Sequence, residues 1–282
     1  MPTTTRSVAR QQFRRLIHLS DTEIPLAIAA LTIAWEDQNH DQTNPTLHQI
    51  EMLAEGARTR LYGYQTPRER ILTLNHYLFH EQGFHGNVHH YDDPMNIFLD
   101  RVIETRTGLP ITLSVLYIEI GRRLGLPIVG VALPGHFLVR YLSFGEMLCI
   151  DPFYRGRLWT QADCMRRIRA TIPRATPEQI ADLLQPTTNA AIVQRLLRNL
   201  KHSYLARSDF VRAIAAVERL LLFAPNDPEE IRDRGLLRSR LNYAHYAVED
   251  FERYAALAPT ARDLPEIQRY AQLLTARLAR GN

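Results

Sequence analysis

One histidine and one aspartate in this sequence are spaced so that they could act together. His136 begins a short run of branched and aromatic residues, Asp151 lies near the end of the next such run, and turn residues at 143–145 separate the two. If the turn centres on Ser143 and Phe144, His136 lies directly opposite Asp151, with both side chains on one face of a hairpin. Hydrolases use such a carboxylate to orient an imidazole toward a nucleophile.

The nucleophile that would complete this pair is not obvious. A cysteine at a helix N-terminus is the favoured arrangement, because backbone amides and the helix dipole lower the pKa of its thiol. The helix that precedes the two strands begins at Pro110. Ser114, one turn further on, is more typical of helix packing. Cys149 is more typical of a small buried hydrophobe, and Cys164 lies in a predicted surface helix.

A second group of polar side chains could bind a metal ion, and it occupies a loop of about a dozen residues. Its members are His85, His89, His90, Asp92 and Asp93. Imidazoles and carboxylates are ligands of zinc and of non-haem metals, but this spacing matches no strong metal signature. Histidines that bond to backbone, with Asp93 capping the helix after Pro94, are the favoured interpretation. We therefore expect no metal and no cofactor.

The elements that position these residues follow from the periodicity of the apolar residues. Helical spacing predicts helices at about 24–35, 47–61, 71–79, 96–106 and 111–124. Strand-like patterns follow at 127–131, 136–141 and 147–152. We therefore predict that residues 1–175 form an α+β domain, in which helices pack on a small antiparallel sheet.

The C-terminal part of the chain has an internal repeat. It follows a linker that contains a short predicted helix at 177–184. A shift of 34 residues superposes Ala213 on Ala247 and Pro225 on Pro259. This period resembles the tetratricopeptide repeat, with two repeats and a last helix at 265–278. We predict an all-helical domain at 187–282 that binds a protein or peptide partner in its groove.

Four motifs in order resemble the transglutaminase-like superfamily, and more closely its bacterial Sir-B regulator branch. They are Arg106-Thr-Gly-Leu-Pro-Ile-Thr-Leu-Ser114, Leu124-Gly-Leu-Pro127, Pro134-Gly-His-Phe-Leu-Val-Arg140 and Ile150-Asp-Pro-Phe153. The resemblance implies a papain-like core with tetratricopeptide repeats after it. His136 and Asp151 match two catalytic positions, and the catalytic cysteine falls at Pro110 within one residue. Neither Leu109 nor Ile111 can replace it, so the resemblance implies an inactivated triad.

Composition excludes several other classes of protein. The chain has no apolar run of the roughly 20 residues that a transmembrane helix needs, and two cysteines are too few for a disulfide framework. The formal charge is only +4, with one lysine against 33 arginines. The basic stretch from Arg155 to Arg174 is more typical of a solvated face than of a nucleic-acid site. We predict a cytoplasmic protein that binds neither nucleic acid nor membrane, with a surface helix within the arginine-rich first twenty residues.

Two functions remain open at this point. The favoured one is a non-enzymatic interaction or regulatory protein, built from an inactivated transglutaminase-like domain and helical repeats. The other is a cysteine-independent hydrolase or acyltransferase that uses His136 and Asp151. Pro110 distinguishes them and favours the first, because proline has neither a thiol nor a hydroxyl.

Overall fold

A computed structural model describes residues 5–63, 66–142 and 147–280 of the chain. The chain divides into two compact units, Met1–Leu196 and Leu197–Asn282, so the boundary falls within a helix, Asn189–Ala206. The predicted division into domains at 1–175 and 187–282 stays a prediction.

The first unit contains helices on either side of its strands. The helices are α1 (Thr5–Ile17), α2 (Leu26–Gln38), α3 (Thr43–Leu61), α4 (Pro67–Asn75), α5 (Leu99–Thr105), α6 (Pro110–Arg123), α7 (Gln161–Thr171), α8 (Pro177–Leu183) and the start of α9 (Asn189–Ala206). The strands are β1 (His85–Gly86), β2 (Thr107–Gly108), β3 (Ile128–Leu133), β4 (His136–Tyr141), β5 (Leu148–Asp151) and β6 (Arg157–Trp159). The predicted α+β class is confirmed.

Helix starts follow the capping signals with one instructive exception. Thr66 and Glu69 form a capping box and Pro67 opens α4. Ser20 and Glu23 also form a capping box, but it closes a 3₁₀ turn rather than the predicted helix. Helix α2 begins only at Leu26, because the proline after Ile24 excludes that residue from the helical region.

The main sheet is antiparallel with the strand order β3-β4-β5-β6. The predicted pairing of β4 with β5 is wrong by two residues: Val139 lies opposite Ile150, a register that places Leu138 opposite Asp151. The predicted turn at 143–145 lies outside the described residues. Because a shift of two residues keeps every side chain on its original face, His136 and Asp151 still share one face as diagonal neighbours.

Two small strand features are absent from the sequence-based prediction. Strand β6 lies in the basic stretch, and its three residues are too few for an alternating pattern. Strands β1 and β2 form a two-residue parallel pair, with His85 opposite Thr107. This parallel pair joins the histidine loop to the segment that enters α6.

The two faces of the main sheet are covered by different helices. On one face, Ile128 packs closely against Gly121 of α6. The other face packs on α7 and α8 through a buried cluster of Val131, Leu133, Leu138, Cys149, Cys164, Ile168, Ile180 and Leu184. Strand alternation places His136 and Asp151 on this second face.

The second unit is helical throughout its described residues, with the end of α9 followed by α10 (Phe210–Phe223), α11 (Pro228–Arg240), α12 (Ala244–Leu257) and α13 (Leu264–Arg280). Helices α10 and α12 begin and end 34 residues apart, as the repeat predicts. Each helix from α10 to α13 packs on the next. Gly235 lies where a β-carbon would come within 2.6 Å of the Phe251 ring, so this crossing needs a glycine.

Candidate functional site

The predicted histidine and aspartate are in contact. Nε2 of His136 lies 2.6 Å from Oδ2 of Asp151, and both side chains are buried. The aspartate ends β5 and the histidine begins β4, so the pair lies at one end of the sheet. The predicted hydrogen bond is confirmed. Such a pair can orient an imidazole and stabilise its protonated form.

The other oxygen of Asp151 accepts hydrogen bonds from the backbone of the turn that follows. The N–H groups of Phe153 and Tyr154 lie 3.1 and 3.3 Å from Oδ1. The turn closes through a bond from Gly156 N–H to the carbonyl oxygen of Asp151, at 2.8 Å. Arg155 and Gly156 have positive φ angles of 52° and 75°. The Asp151 carboxylate therefore fixes both the turn that follows β5 and the side chain of His136.

Aromatic rings surround the imidazole and connect it to an open cleft. Trp159 stacks on His136 at 5.6 Å between ring centroids, and Tyr154 lies at 6.1 Å. Tyr154 also lines a cleft of about 460 Å³. Its other lining residues are His85, Gly86, Asn87, Val88, His89, Phe153 and Arg155. The histidine-aspartate pair thus lies behind the aromatic wall of a cleft that is accessible from the surface.

The histidines of this loop do not assemble into a metal centre. Within residues 5–63, 66–142 and 147–280, no group of three or more His, Cys, Asp or Glu side chains could hold a metal ion. Nδ1 of His85 lies 2.9 Å from the carbonyl oxygen of Gly83. Asp93 accepts a hydrogen bond from Met95 N–H and caps a 3₁₀ turn at Pro94–Asn96. That the protein binds no metal stays a prediction.

The helix N-terminus that would carry the nucleophile is occupied by proline. Leu109 is the N-cap of α6 and Pro110 is its first residue. Both are buried, as is Ile111. Pro110 suits this position because its backbone needs no N–H there and its φ is already helical.

The three alternative nucleophiles are all buried. Ser114 has a buried hydroxyl oxygen with no hydrogen-bond partner in the described part of the chain. Cys149 packs in the cluster beneath α7, as expected for a small hydrophobe. Cys164 lies on α7, which is a surface helix as expected, but on the helix face that is fully buried. The hydrogen bond between the two thiols and burial raise the pKa of Cys164, which disfavours its thiolate form.

Several residues that support the site were not found from the sequence. Arg195 donates a hydrogen bond of 2.8 Å to the carbonyl oxygen of His136. Tyr117 donates to Asn75, which donates in turn to the carbonyl oxygen of Gly156. These partners come from α4, α6 and α9, at least 42 residues from the groups that they contact. No local pattern marks them, because each contact forms only when distant helices pack together.

The basic stretch lies on the surface. Its arginines at positions 155, 157, 166, 167, 169 and 174 are all exposed. Arg166 forms an ion pair with Asp163, and Arg167 donates to the carbonyl oxygen of Gly135. These contacts are typical of a solvated face. No helix among the described residues is both long and apolar enough to cross a membrane.

The fold and the site together define a protein with two parts. The first is an α+β domain with a histidine-aspartate pair at the end of its antiparallel sheet, and the second is a set of helical repeats. Residues 44–198 match the transglutaminase-like superfamily, and residues 200–272 match the tetratricopeptide repeat. A UPF0162 protein of Xylella fastidiosa (strain Temecula1) is 34% identical over 91% of this chain and 92% of its own length. Protein SirB1 of Salmonella typhimurium is 30% identical over 76% and 78%.

This chain therefore belongs to the transglutaminase-like superfamily, in the group that includes the UPF0162 and SirB1 proteins. The predicted family resemblance is confirmed. A crystal structure of menin aligns with 94% of this chain and 74% of its own, at 12% identity and a TM-score of 0.43, and this likeness is too distant to support an argument.

Proposed function

We propose that this chain is a non-enzymatic interaction or regulatory protein. Its helical repeats bind a protein or peptide partner, and its transglutaminase-like domain serves as a scaffold. The observation that carries the proposal is Pro110 as the first residue of α6. Acyl transfer in this superfamily needs a nucleophile at that position, and proline, flanked by Leu109 and Ile111, supplies none.

A structural role for the histidine-aspartate pair supports the same proposal. Asp151 links β5 to the turn at Phe153 and Tyr154, and it also holds the first residue of β4. A buried carboxylate with three donors stabilises a fold independently of catalysis. The pair would therefore be retained in a protein that lost the superfamily's activity.

The repeats have exposed apolar residues that suit a binding role. Val211, Tyr243, Tyr246 and Leu273 are each more than half exposed. Tyrosines of this kind are enriched at protein interfaces. The predicted location is the cytoplasm, where thiols stay reduced, and both cysteines are free. We propose no role in binding nucleic acid or membranes, in line with the solvated basic stretch.

A cysteine-independent hydrolase or acyltransferase is the second candidate. One observation favours it: the 2.6 Å pair lies next to a cleft of about 460 Å³. His136 would then act as a base toward water or an unassigned nucleophile, with Asp151 orienting the imidazole.

Ester and glutamine-amide hydrolysis, measured beside thermal unfolding, tests the absence of activity. The variants are His136→Ala and Pro110→Cys, with His48→Ala as the control, because His48 is exposed and does not line the cleft. We expect no activity in the wild type, and a stability loss on the order of 1–3 kcal/mol in His136→Ala. Activity found only in Pro110→Cys supports the proposal. Wild-type activity that His136→Ala abolishes without changing the melting temperature refutes it.

Co-purification from cell extract, with partners identified by mass, tests the binding role. We expect a partner that wild-type protein retains and that Tyr243→Ala loses. Tyr62→Ala is the matched control, because this tyrosine is also exposed but lies outside the repeats. A partner lost equally in both variants, or no partner at all, contradicts binding through the repeats.

A further inference from the structure

A second cavity, distinct from the cleft beside Tyr154, lies where α3, α5 and the turn after α4 meet. Its volume is about 210 Å³ and it shares no lining residue with the cleft. Four polar side chains line it, those of Gln49, Tyr77, Gln82 and Arg106. Nothing in the proposed function uses this cavity.

Arg106 lines this cavity, and no carboxylate of the described residues forms an ion pair with it. One of its terminal nitrogens, Nη1, is buried and has no hydrogen-bond partner within the described residues. The guanidinium lies over the ring of Phe84, 4.7 Å from its centroid. Burial lowers the pKa of Arg106, and only the hydroxyl of Tyr77 opposes this shift. The half-buried guanidinium borders the cavity without a carboxylate partner from the described residues, so its charge is available to an anion from outside the chain.

The carboxylate of Glu81 pairs with Arg60 and not with Arg106. Glu81 ends the π-helical turn His76–Glu81 that follows α4, and its carboxylate accepts hydrogen bonds of 2.9 and 2.8 Å from Nε of Arg60. Arg106 also has a positive φ of 60°, a backbone conformation in which arginine is uncommon. Asparagine or glycine would adopt this conformation more easily.

We propose that this cavity binds a small carboxylic acid with a short aliphatic chain. The guanidinium of Arg106 matches a carboxylate in charge and in its forked geometry. The amides of Gln49 and Gln82 supply further donors. Leu53 and Ile103 offer apolar surface for the aliphatic chain.

The size of the cavity limits the ligand. At about 30 Å³ for each water-sized group, 210 Å³ holds roughly seven non-hydrogen atoms. Pentanoate has that number. A short aliphatic acid therefore suits the cavity, whereas inorganic phosphate leaves its apolar part unfilled.

Titration calorimetry on the full chain tests this proposal, with pentanoate as the probe. We expect saturable binding to the wild type, weakened about tenfold or more in Arg106→Gln. Arg155→Gln is the matched control: Arg155 also has a positive φ but lies in the other cleft. Unsaturable binding to the wild type, or equal binding to wild type and Arg106→Gln, overturns the proposal.

A comparison of ligands on the wild type tests the same point without a variant. Pentanoate should raise the melting temperature, because it binds only the folded state. Pentylamine should not, because it brings a second positive charge to Arg106. Inorganic phosphate that binds more tightly than pentanoate overturns the assignment of a carboxylate. Pentylamine that stabilises the protein as well as pentanoate does overturns the role of Arg106.

Discussion

Two of the buried charged clusters in the described residues are built in different ways. Asp151 in the first unit is satisfied by His136 and by two backbone N–H groups of the following turn. Lys201 in the second unit depends on two side chains, Glu230 at 2.8 Å and Asp233 at 2.9 Å. Removing one side chain leaves Asp151 with partners, whereas removing Lys201 leaves Glu230 without its closest counterion.

Because of this difference, we expect the Lys201 cluster to be the more easily destabilised by a single substitution. Lys201 is the single lysine of the chain, and it is buried where α9 meets α11. A buried ion pair contributes little net stability when intact, but breaking it is costly because one charge is left uncompensated. A carboxylate held partly by backbone donors keeps those donors after any neighbouring side chain is changed.

Lys201→Ala should therefore have the largest effect. We expect a loss of about 3–5 kcal/mol in the free energy of unfolding, because Glu230 stays buried without its main counterion. Chemical denaturation measures it. Arg253→Ala, which removes an exposed arginine of the same unit, is the control. The double variant Lys201→Met/Glu230→Met should recover most of the loss. Equal losses in Lys201→Ala and Arg253→Ala would remove the contrast between the clusters.

The pH dependence of the lysine cluster is a second way to examine it. Burial lowers the pKa of Lys201, but the hydrogen bonds to Glu230 and Asp233 raise it, and the net value lies above the ordinary 10.5. A raised lysine pKa contributes stability that is complete below pH 10.5 and is lost as the pH rises through the folded-state pKa. The difference in stability between wild type and Lys201→Met should therefore shrink only in that alkaline range. A difference that shrinks between pH 6 and 8 would contradict this assignment.

Asp151→Ala should have a smaller effect, on the order of 1–3 kcal/mol, through the donors that it leaves unpaired. Asp151→Asn should cost less, because its side-chain oxygen can still accept from Phe153 and Tyr154. Thermal unfolding of the two variants measures the difference. If Asp151→Asn lowers the stability as much as Asp151→Ala does, the interaction of the Asp151 charge with His136 contributes more than the hydrogen bonds from the backbone.

Thr160→Ala should have the smallest effect. Thr160 caps α7, the helix that covers the sheet face of the histidine-aspartate pair. Losing a threonine cap costs typically about 1 kcal/mol. Thr176→Ala at α8 is a matched capping-box control. A loss larger than that of Asp151→Ala would mean that α7, rather than the carboxylate, maintains this end of the sheet.

The sequence by itself determined the longer elements, the family and the identity of the pair, but not the short strands β1, β2 and β6. Capping residues, apolar spacing and the period of 34 depend on near neighbours, so they predict helices such as α4 and the matched pair α10 and α12. The motif around Pro134 and the one that ends at Phe153 identified His136 and Asp151. Side-chain alternation then placed both on one face, and this conclusion survived an error of two residues in register.

The tertiary structure decided the register, the partners and the burial of single side chains. Val139 pairs with Ile150, a register that the count from the assumed turn centre misses by two residues. Cys164 is buried although α7 has an exposed face. The counterions of Lys201, and the lack of one for Arg106 among the described residues, depend on residues from other helices. Such contacts are set by packing between distant segments, and no local pattern of residues records them.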